Sequence, residues 1–233
     1  MPASIGDLSV RGVLESSALL VDLSEREKLG LAPECRLYFC EKSEQIWSSG
    51  STVAFFGLVA TGFVKMVKSN SGGTEMTLEI MGPGQIFGLL SALEGTGCPL
   101  SAVGLTDTVY LRIAKEAFLE IYKANNQLKD RLLRRTVVRM HQKLDLMAKL
   151  SSGKAEERIA SILFVLAESY GVHGDNTIQL SVPLTRQSLG EMAGTTTETT
   201  IRTLSSWAKQ KLVQTDQQMI SILDVVGLES KLH

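Results

Sequence analysis

The chain has 233 residues, of which 44% are hydrophobic and 21% are charged, and its formal net charge is −1 at pH 7. This is the composition of a soluble globular protein that can bury a proper core. The longest apolar run, residues 53–64, is interrupted by Gly57 and Gly62 and is shorter than the roughly 20 residues of a membrane span. With no apolar leader at the N-terminus, we expect no membrane partner and a cytoplasmic location.

Charge is divided unevenly along the chain. Residues 1–120 carry 9 Lys and Arg against 14 Asp and Glu, a net charge of −5, whereas residues 121–233 carry 15 against 11, a net charge of +4. DNA affinity requires cationic side chains close to phosphates rather than a basic protein as a whole. The asymmetry therefore favours a DNA-binding domain in the C-terminal half.

Short strand-like segments separated by turn residues fill the first half of the chain. They are predicted at Arg36–Cys40, Gln45–Trp47, Val53–Val59, Gly62–Lys68, Glu75–Met81, Ser101–Leu105 and Val109–Ile113. Residues 69–73, with the sequence SNSGG, are typical of a hairpin turn. The regular spacing of the strands predicts a small antiparallel barrel, which we assign to a domain of residues 1–122.

A long helix is predicted from Asn125 to Leu150, because this stretch contains neither Gly nor Pro. Its apolar residues recur at intervals of 4, 3, 4 and 3, the spacing of a coiled-coil seam. The seam consists of Leu133, Val137, Met140, Leu144 and Met147. One interpretation is a helix packed on its own domain. We favour parallel self-association, and therefore a dimerisation helix at residues 123–152.

Residues 184–207 have the pattern of two short helices joined by a tight turn. Thr185 is predicted to cap the first helix and Thr196 the second, while Gly194 can take the positive φ that the turn needs. This helix-turn-helix pattern is also compatible with an ordinary helical pair that has a solvated polar face. The segments Leu212–Thr215 and Met219–Leu223 are predicted to form a following hairpin, the wing, within a domain of residues 153–233.

The second helix is predicted to divide into a core face and an outer face. Ile201, Leu204 and Trp207 are expected to face the core, whereas Thr197, Glu198 and Arg202 are expected on the outer face. Arg can bond guanine O6 and N7, and Glu can accept from cytosine N4, so these outer residues are candidates for reading bases. The candidates for phosphate contacts are Thr185, Gln187, Thr196 and Thr199.

A barrel, a long helix and a winged helix-turn-helix in this order resemble the bacterial regulator superfamily of the cAMP receptor protein and the fumarate-nitrate reduction regulator. The resemblance is carried by GTEMTLEIMGPGQIFG, residues 73–88, and by LTRQSLGEMAGTTTETTIRTLS, residues 184–205. It implies an α+β fold with a cyclic-nucleotide-binding-type antiparallel β-barrel (double-stranded β-helix). It further implies a homodimer that binds palindromic double-stranded DNA and contacts RNA polymerase.

The resemblance places Glu198 and Arg202 at the family's base-reading positions. Thr197 departs from the arginine of the cAMP receptor protein. At the effector pocket, which begins at Gly88, the family's ribose-binding Glu and phosphate-binding Arg-Ser pair correspond to Leu89, Leu100 and Ser101. A cyclic phosphate buried beside two leucines would lack an ion-pair partner, so we expect no cAMP binding.

The cysteines and histidines of the chain decide which other sensor chemistries are available to it. The iron-sulfur members of the superfamily use four cysteines, whereas this chain has three and carries Tyr110 at the fourth position, so an iron-sulfur cofactor is not expected. Haem is a lesser alternative, through His141 or His173. The three thiols belong to Cys35, Cys40 and Cys98. They are either buried and inert or redox-responsive, and the redox candidates are Cys35 and Cys40.

The sequence contains no catalytic constellation, phosphate-binding loop or paired metal-binding histidines, so an enzyme is not expected. The favoured interpretation is a dimeric transcription regulator whose barrel senses an effector or redox state. The alternative is a barrel that acts as a second-messenger or protein-interaction module beside a non-functional DNA domain.

Overall fold

The computed structural model describes residues 8–69 and 75–232. The predicted turn residues Asn70 to Gly73 lie outside these ranges. The chain forms two compact units, Met1–Val137 and Val138–His233. Among the described residues, no helix combines the length and the apolar character that crossing a membrane requires.

The described residues of the first unit form eight antiparallel strands. They are β1 (Cys35–Cys40), β2 (Gln45–Trp47), β3 (Phe55–Thr61), β4 (Val64–Ser69), β5 (Glu75–Met81), β6 (Ile86–Phe87), β7 (Ser101–Gly104) and β8 (Thr108–Ala114). They form two four-stranded sheets with the orders β1-β8-β3-β6 and β2-β7-β4-β5. This is the predicted cyclic-nucleotide-binding-type barrel. The short strand β6 was not predicted, because two residues are too few to show a periodic pattern.

The sheet that contains β8 is buried on both of its faces. Tyr110 packs in a cluster with Trp47 and Phe87, which come from both sheets and fill the space between them. The next residue, Leu111, points to the opposite face and packs in a second cluster with Phe56. Because successive side chains alternate across a strand, this two-sided burial explains why β3 and β8 are apolar almost throughout.

In the described part of this unit, four α-helices accompany the barrel, none of which the sequence pattern had identified. They are α1 (Val10–Ser16), α2 (Glu25–Leu31), α3 (Leu89–Glu94) and α4 (Lys115–Ala124). Three of them have seven residues or fewer, too short for a helical period to be evident. Local capping compensates: the Ser24 side chain accepts a hydrogen bond from the Glu27 N–H (3.3 Å), and the Glu27 carboxylate accepts one from the Ser24 N–H (2.7 Å).

The predicted long helix is α5 (Asn126–Ser152). The division between the two compact units falls within it, between Val137 and Val138. Its start is fixed by the Asn125 side chain, whose Oδ1 accepts a hydrogen bond from the Leu128 N–H (2.9 Å) and whose Nδ2 donates to Glu27 (2.8 Å). Leu128 is fully buried in the core of the first unit.

The second unit has the elements of a winged helix-turn-helix. They are α6 (Ala155–Tyr170), β9 (Gly171–His173), β10 (Ile178–Leu180), α7 (Arg186–Met192), α8 (Thr197–Lys209), β11 (Val213–Asp216), β12 (Met219–Ile222) and α9 (Val225–Glu229). The β11–β12 hairpin is the predicted wing. It belongs to a four-stranded sheet in the order β11-β12-β10-β9. His173, one of the two histidines weighed as haem ligands, lies on β9.

Gly57 provides a test of how tightly the barrel is packed. A Cβ at position 57 would overlap the Phe87 ring, which is fully buried. We predict that Gly57→Ala lowers the free energy of unfolding by about 1–3 kcal/mol, because the ring must leave its position.

Gly30→Ala is the matched control, since position 30 is exposed near the end of α2 and has no atom within 4 Å of an added Cβ. Alanine there is expected to leave stability unchanged or raise it by up to about 1 kcal/mol. Urea unfolding of both variants would contradict the packing argument if their midpoints agreed.

Candidate nucleic-acid interface

Side-chain caps and one glycine set the turn between α7 and α8. Thr185 Oγ1 accepts a hydrogen bond from the Ser188 N–H (2.9 Å) at the start of α7. Thr196 Oγ1 accepts one from the Thr199 N–H (3.1 Å) at the start of α8. Gly194 has a φ of +60°, a backbone conformation that residues with side chains rarely adopt. The predicted caps and turn residue are therefore confirmed, and α8 begins three residues after Gly194.

The two helices approach each other closely at a glycine. A Cβ on Gly190 would lie 2.9 Å from the Thr200 Oγ1, nearer than side chains normally pack. Thr200 is fully buried, and its hydroxyl donates to the Thr196 carbonyl oxygen (3.0 Å). Gly190 thus allows α8 to lie against α7, and the threonine satisfies its own polar group within its helix.

Arg158, on α6, fixes the same turn from the other side. Its Nε donates to the Ala193 carbonyl oxygen (2.8 Å) and its Nη2 to that of Gly194 (3.1 Å). Its Nη1 donates to the Gly153 carbonyl oxygen (2.8 Å). The guanidinium therefore binds backbone oxygens that follow α5 and α7. This role was not predicted; the one signal in the sequence is that Arg158 is the single cation of α6, directly before its apolar stretch.

The buried face of α8 differs from the one predicted. Thr200, Thr203, Leu204 and Trp207 are buried, whereas Ile201 is 48% exposed. The expected core set 201-204-207 was wrong at Ile201, because each step of three residues turns 60° short of a full helical turn. The observed set follows the 3-1-3 spacing of a helical face.

Glu198 and Arg202 lie on the exposed face of α8, one turn apart. Within residues 8–69 and 75–232, neither side chain forms a hydrogen bond or ion pair. Thr197, the third base-reading candidate, is half-buried at the first position of the helix. The two long polar side chains are therefore free to meet a ligand that lies against this face.

The four phosphate candidates lie at the beginnings of α7 and α8. Gln187 is exposed, and its amide donates to Glu191 (2.9 Å). The Thr196 hydroxyl donates to the Thr199 hydroxyl (3.1 Å), which leaves the Thr199 proton available to an external acceptor. Thr185 shares a 2.8 Å hydrogen bond with the Ser188 hydroxyl. These contacts hold the four side chains at the helix starts, where backbone N–H groups also favour anions.

The predicted seam of α5 is an exposed apolar stripe. Its five residues share one face because their spacing alternates between four and three. They are Leu133, Val137, Met140, Leu144 and Met147, with exposed fractions of 39% to 65%. Isolated surface leucines are ordinary, but five large apolar side chains in a single row indicate a contact surface.

The residues of the predicted effector pocket, Gly88, Leu89, Leu100 and Ser101, are engaged with other parts of the first unit. Gly88 has a φ of +79°, and a Cβ there would lie 2.8 Å from Cη2 of the buried Trp47. The Trp47 indole N–H donates to the Leu100 carbonyl oxygen (3.1 Å). Leu89 is buried in the other core cluster, away from Leu100. Ser101 Oγ accepts a hydrogen bond from the Ser49 N–H (2.9 Å). Trp47, which no sequence pattern indicated, thus contacts two of the predicted pocket residues, Gly88 and Leu100.

The three cysteines are free and buried. Burial raises the pKa of Cys35 to about 12 and also raises the pKa values of Cys40 and Cys98. Since the thiolate is the reactive form, the native environment suppresses reaction with oxidants at neutral pH. The described residues contain no group of three or more His, Cys, Asp or Glu side chains that could hold a metal ion.

Known proteins share both halves of this architecture. The cyclic nucleotide-binding domain family matches residues 39–125, and the Crp-like helix-turn-helix domain family matches residues 157–231. The transcriptional activator protein FnrA of Stutzerimonas stutzeri is 26% identical over 188 residues, which cover 81% of this chain and 77% of the relative. The cyclic AMP receptor protein of Thermus thermophilus is 28% identical over 214 residues, covering 86% and 93%.

Solved structures show the same fold. The structure of FixK2 from Bradyrhizobium japonicum has a TM-score of 0.76 at 24% identity and covers 84% of this chain and 96% of its own. The two domain matches and the two similar regulators define a class of protein. Its members have a sensory barrel followed by a DNA-binding winged helix-turn-helix. The chain belongs to the superfamily of transcription regulators that includes the cAMP receptor protein and the fumarate-nitrate reduction regulator.

Proposed function

We propose that this protein is a homodimeric transcription regulator that binds a palindromic DNA site. The observation that carries the proposal is the outer face of α8, where Glu198 and Arg202 are exposed and have no partner among the described residues. In a helix-turn-helix the N-terminal part of the second helix enters the major groove. There Arg202 can bond guanine O6 and N7, and Glu198 can accept from cytosine N4.

The four phosphate candidates are expected to contribute affinity rather than sequence specificity. Gln187 and the threonines Thr185, Thr196 and Thr199 lie at helix starts and are suited to phosphate oxygens, which carry no sequence information. Thr197, the first residue of α8, is the third candidate for contact with a base. The net charge of +4 over residues 121–233 supports binding close to the DNA backbone.

The homodimer follows from the stripe on α5. Exposed methionine, leucine and valine at heptad spacing are the side chains of a two-helix seam. A two-fold symmetric dimer presents two α8 helices and therefore requires a palindromic site with half-sites about one helical turn apart. We also infer contact with RNA polymerase at promoters in the bacterial cytoplasm, on family membership alone. No enzymatic role is proposed, since the relatives that match are transcription regulators.

We further propose that the barrel responds to an effector other than cAMP. Leu89 and Leu100 offer no charge to a cyclic phosphate, and the Trp47 indole lies against Gly88. The raised pKa values of the cysteines do not favour a redox sensor. An iron-sulfur cluster is not part of the proposal, since the described residues contain no group of three or more His, Cys, Asp or Glu side chains that could hold a metal ion. Haem, through His141 or His173, stays the lesser alternative.

The proposed dimer seam can be tested by introducing charged side chains into it. Changing Val137 and Leu144 together to Glu should produce monomers, because the pair would place four buried carboxylates at the two-fold seam. Sequence-specific DNA binding should be lost with the dimer. Sedimentation velocity measures the first effect and gel shift the second.

The matched control is the double change Val138→Glu and Gln142→Glu, which adds the same charge at two exposed positions on the opposite face of α5. This control should remain dimeric and bind DNA. A dimer that persists in the Val137/Leu144 variant would place the interface elsewhere.

The effector proposal predicts no heat of binding when cAMP or cGMP is titrated at micromolar concentrations in a calorimeter. The physical reason is the missing ion pair, which costs several kcal/mol for a buried phosphate. The cyclic AMP receptor protein of Thermus thermophilus serves as the positive control. Binding that also changed DNA affinity would overturn the proposal.

The reading residues are tested on a palindrome selected from random duplexes. Arg202→Ala should cost about 1–3 kcal/mol on that palindrome and relax the preference at one base pair in each half-site. Gln187→Ala is the control for a phosphate contact and should weaken binding to all sequences alike.

Two outcomes would contradict the assignment. If Arg202→Ala weakened random and selected duplexes by the same factor, Arg202 would be a phosphate contact. If the wild-type protein enriched no palindrome, the DNA domain would be non-functional and the barrel would be an interaction module.

A further inference from the structure

Ile201 is an exposed apolar residue on the face that we propose reads DNA. Its side chain is 48% exposed, whereas the other large apolar side chains of α8, Leu204 and Trp207, are at most 3% exposed. It lies one turn after Glu198 and directly before Arg202. Ile201 therefore belongs to the same exposed surface as the two polar readers, and it makes that surface partly apolar.

An exposed isoleucine is an unfavourable choice for the interior of a solvated helix. Its branched Cβ restricts χ1, so its helix propensity is lower than that of Ala, Glu or Lys. The folded unit gains little from the side chain, because its core positions are filled by Thr200, Thr203, Leu204 and Trp207. A partner that covers Ile201 would gain the hydrophobic free energy that the folded unit leaves unused at this position.

The chemistry of the major groove identifies that partner. Base-pair edges in the groove present hydrogen-bond donors and acceptors, and the one apolar group among them is the C5-methyl group of thymine. The single favoured rotamer of a β-branched residue in a helix presents its methyl groups with little loss of conformational entropy. Its neighbours Glu198 and Arg202 are suited to polar base edges, so the surface around Ile201 fits DNA better than an apolar protein.

We propose that Ile201 is a specificity-determining residue that packs against a thymine methyl group in each half-site. The contacted thymine lies beside the base pairs that Glu198 and Arg202 read. This inference rests on the proposed function, because it requires α8 to lie in the major groove. It adds a third element to the readout, an apolar contact that selects thymine over other bases.

The experiment replaces thymine by uracil, which removes only the C5-methyl group. Each thymine of the selected palindrome is replaced in turn, in both half-sites, and affinity is measured with the full-length protein. For the wild type, one position should weaken binding on the order of fourfold for each half-site, the effect of burying about one methyl group. With Ile201→Ser, thymine and uracil at that position should bind within twofold of each other.

Ile201→Ser should fold normally because the side chain is exposed. Arg202→Ala is the matched control: it should bind more weakly but keep the difference between thymine and uracil. The proposal is overturned if no uracil substitution weakens the wild type by more than twofold, or if Ile201→Ser keeps the wild-type difference. A protein that selects no palindrome overturns the DNA-binding function itself, together with this inference, and so distinguishes the two failures.

Discussion

The readout surface of α8 depends on how closely α7 and α8 approach each other. Gly190 on α7 has no side chain to hold the helices apart, and the buried Thr200 on α8 packs against it. Arg158 then binds the carbonyl oxygens of Ala193 and Gly194, which α7 leaves without helical partners. These contacts hold one face of α8 against the domain. The opposite face, which carries Glu198 and Arg202, therefore points away from the core and its side chains are available to a ligand.

The choice of residues on α8 reflects this division of the helix. Threonine at the buried positions 200 and 203 is small enough for the close contact, and the Thr200 hydroxyl is satisfied by the Thr196 carbonyl oxygen. Larger apolar residues, Leu204 and Trp207, fill the wider part of the core further along. Ile201 would have been the natural core residue by hydropathy alone. Its exposure shows that the position of a residue on the helix, more than its hydropathy, decides burial here.

Sequence patterns predicted the fold best where elements are long or strongly alternating. Most barrel strands, the long helix, the helix caps and the wing followed from periodicity and turn residues. The strands β6, β9 and β10 and the helices α1 to α3 are too short to carry a period. Trp47 and Arg158 could not have been assigned, because their roles depend on contacts with residues distant in the chain. The predicted roles in DNA contact and dimerisation remain predictions.

The energetics of reading DNA explain why one chain would need both an apolar stripe on α5 and a polar face on α8. If Glu198 and Arg202 each discriminate by the about 1–3 kcal/mol of a good base contact and a thymine methyl contact by about 0.8 kcal/mol, the three proposed contacts would together give roughly 3–7 kcal/mol. Specific binding exceeds non-specific binding by about 4–10 kcal/mol. One half-site therefore reaches only the lower part of that range. A symmetric dimer would double the same three contacts to roughly 6–14 kcal/mol, which extends through the upper part of that range.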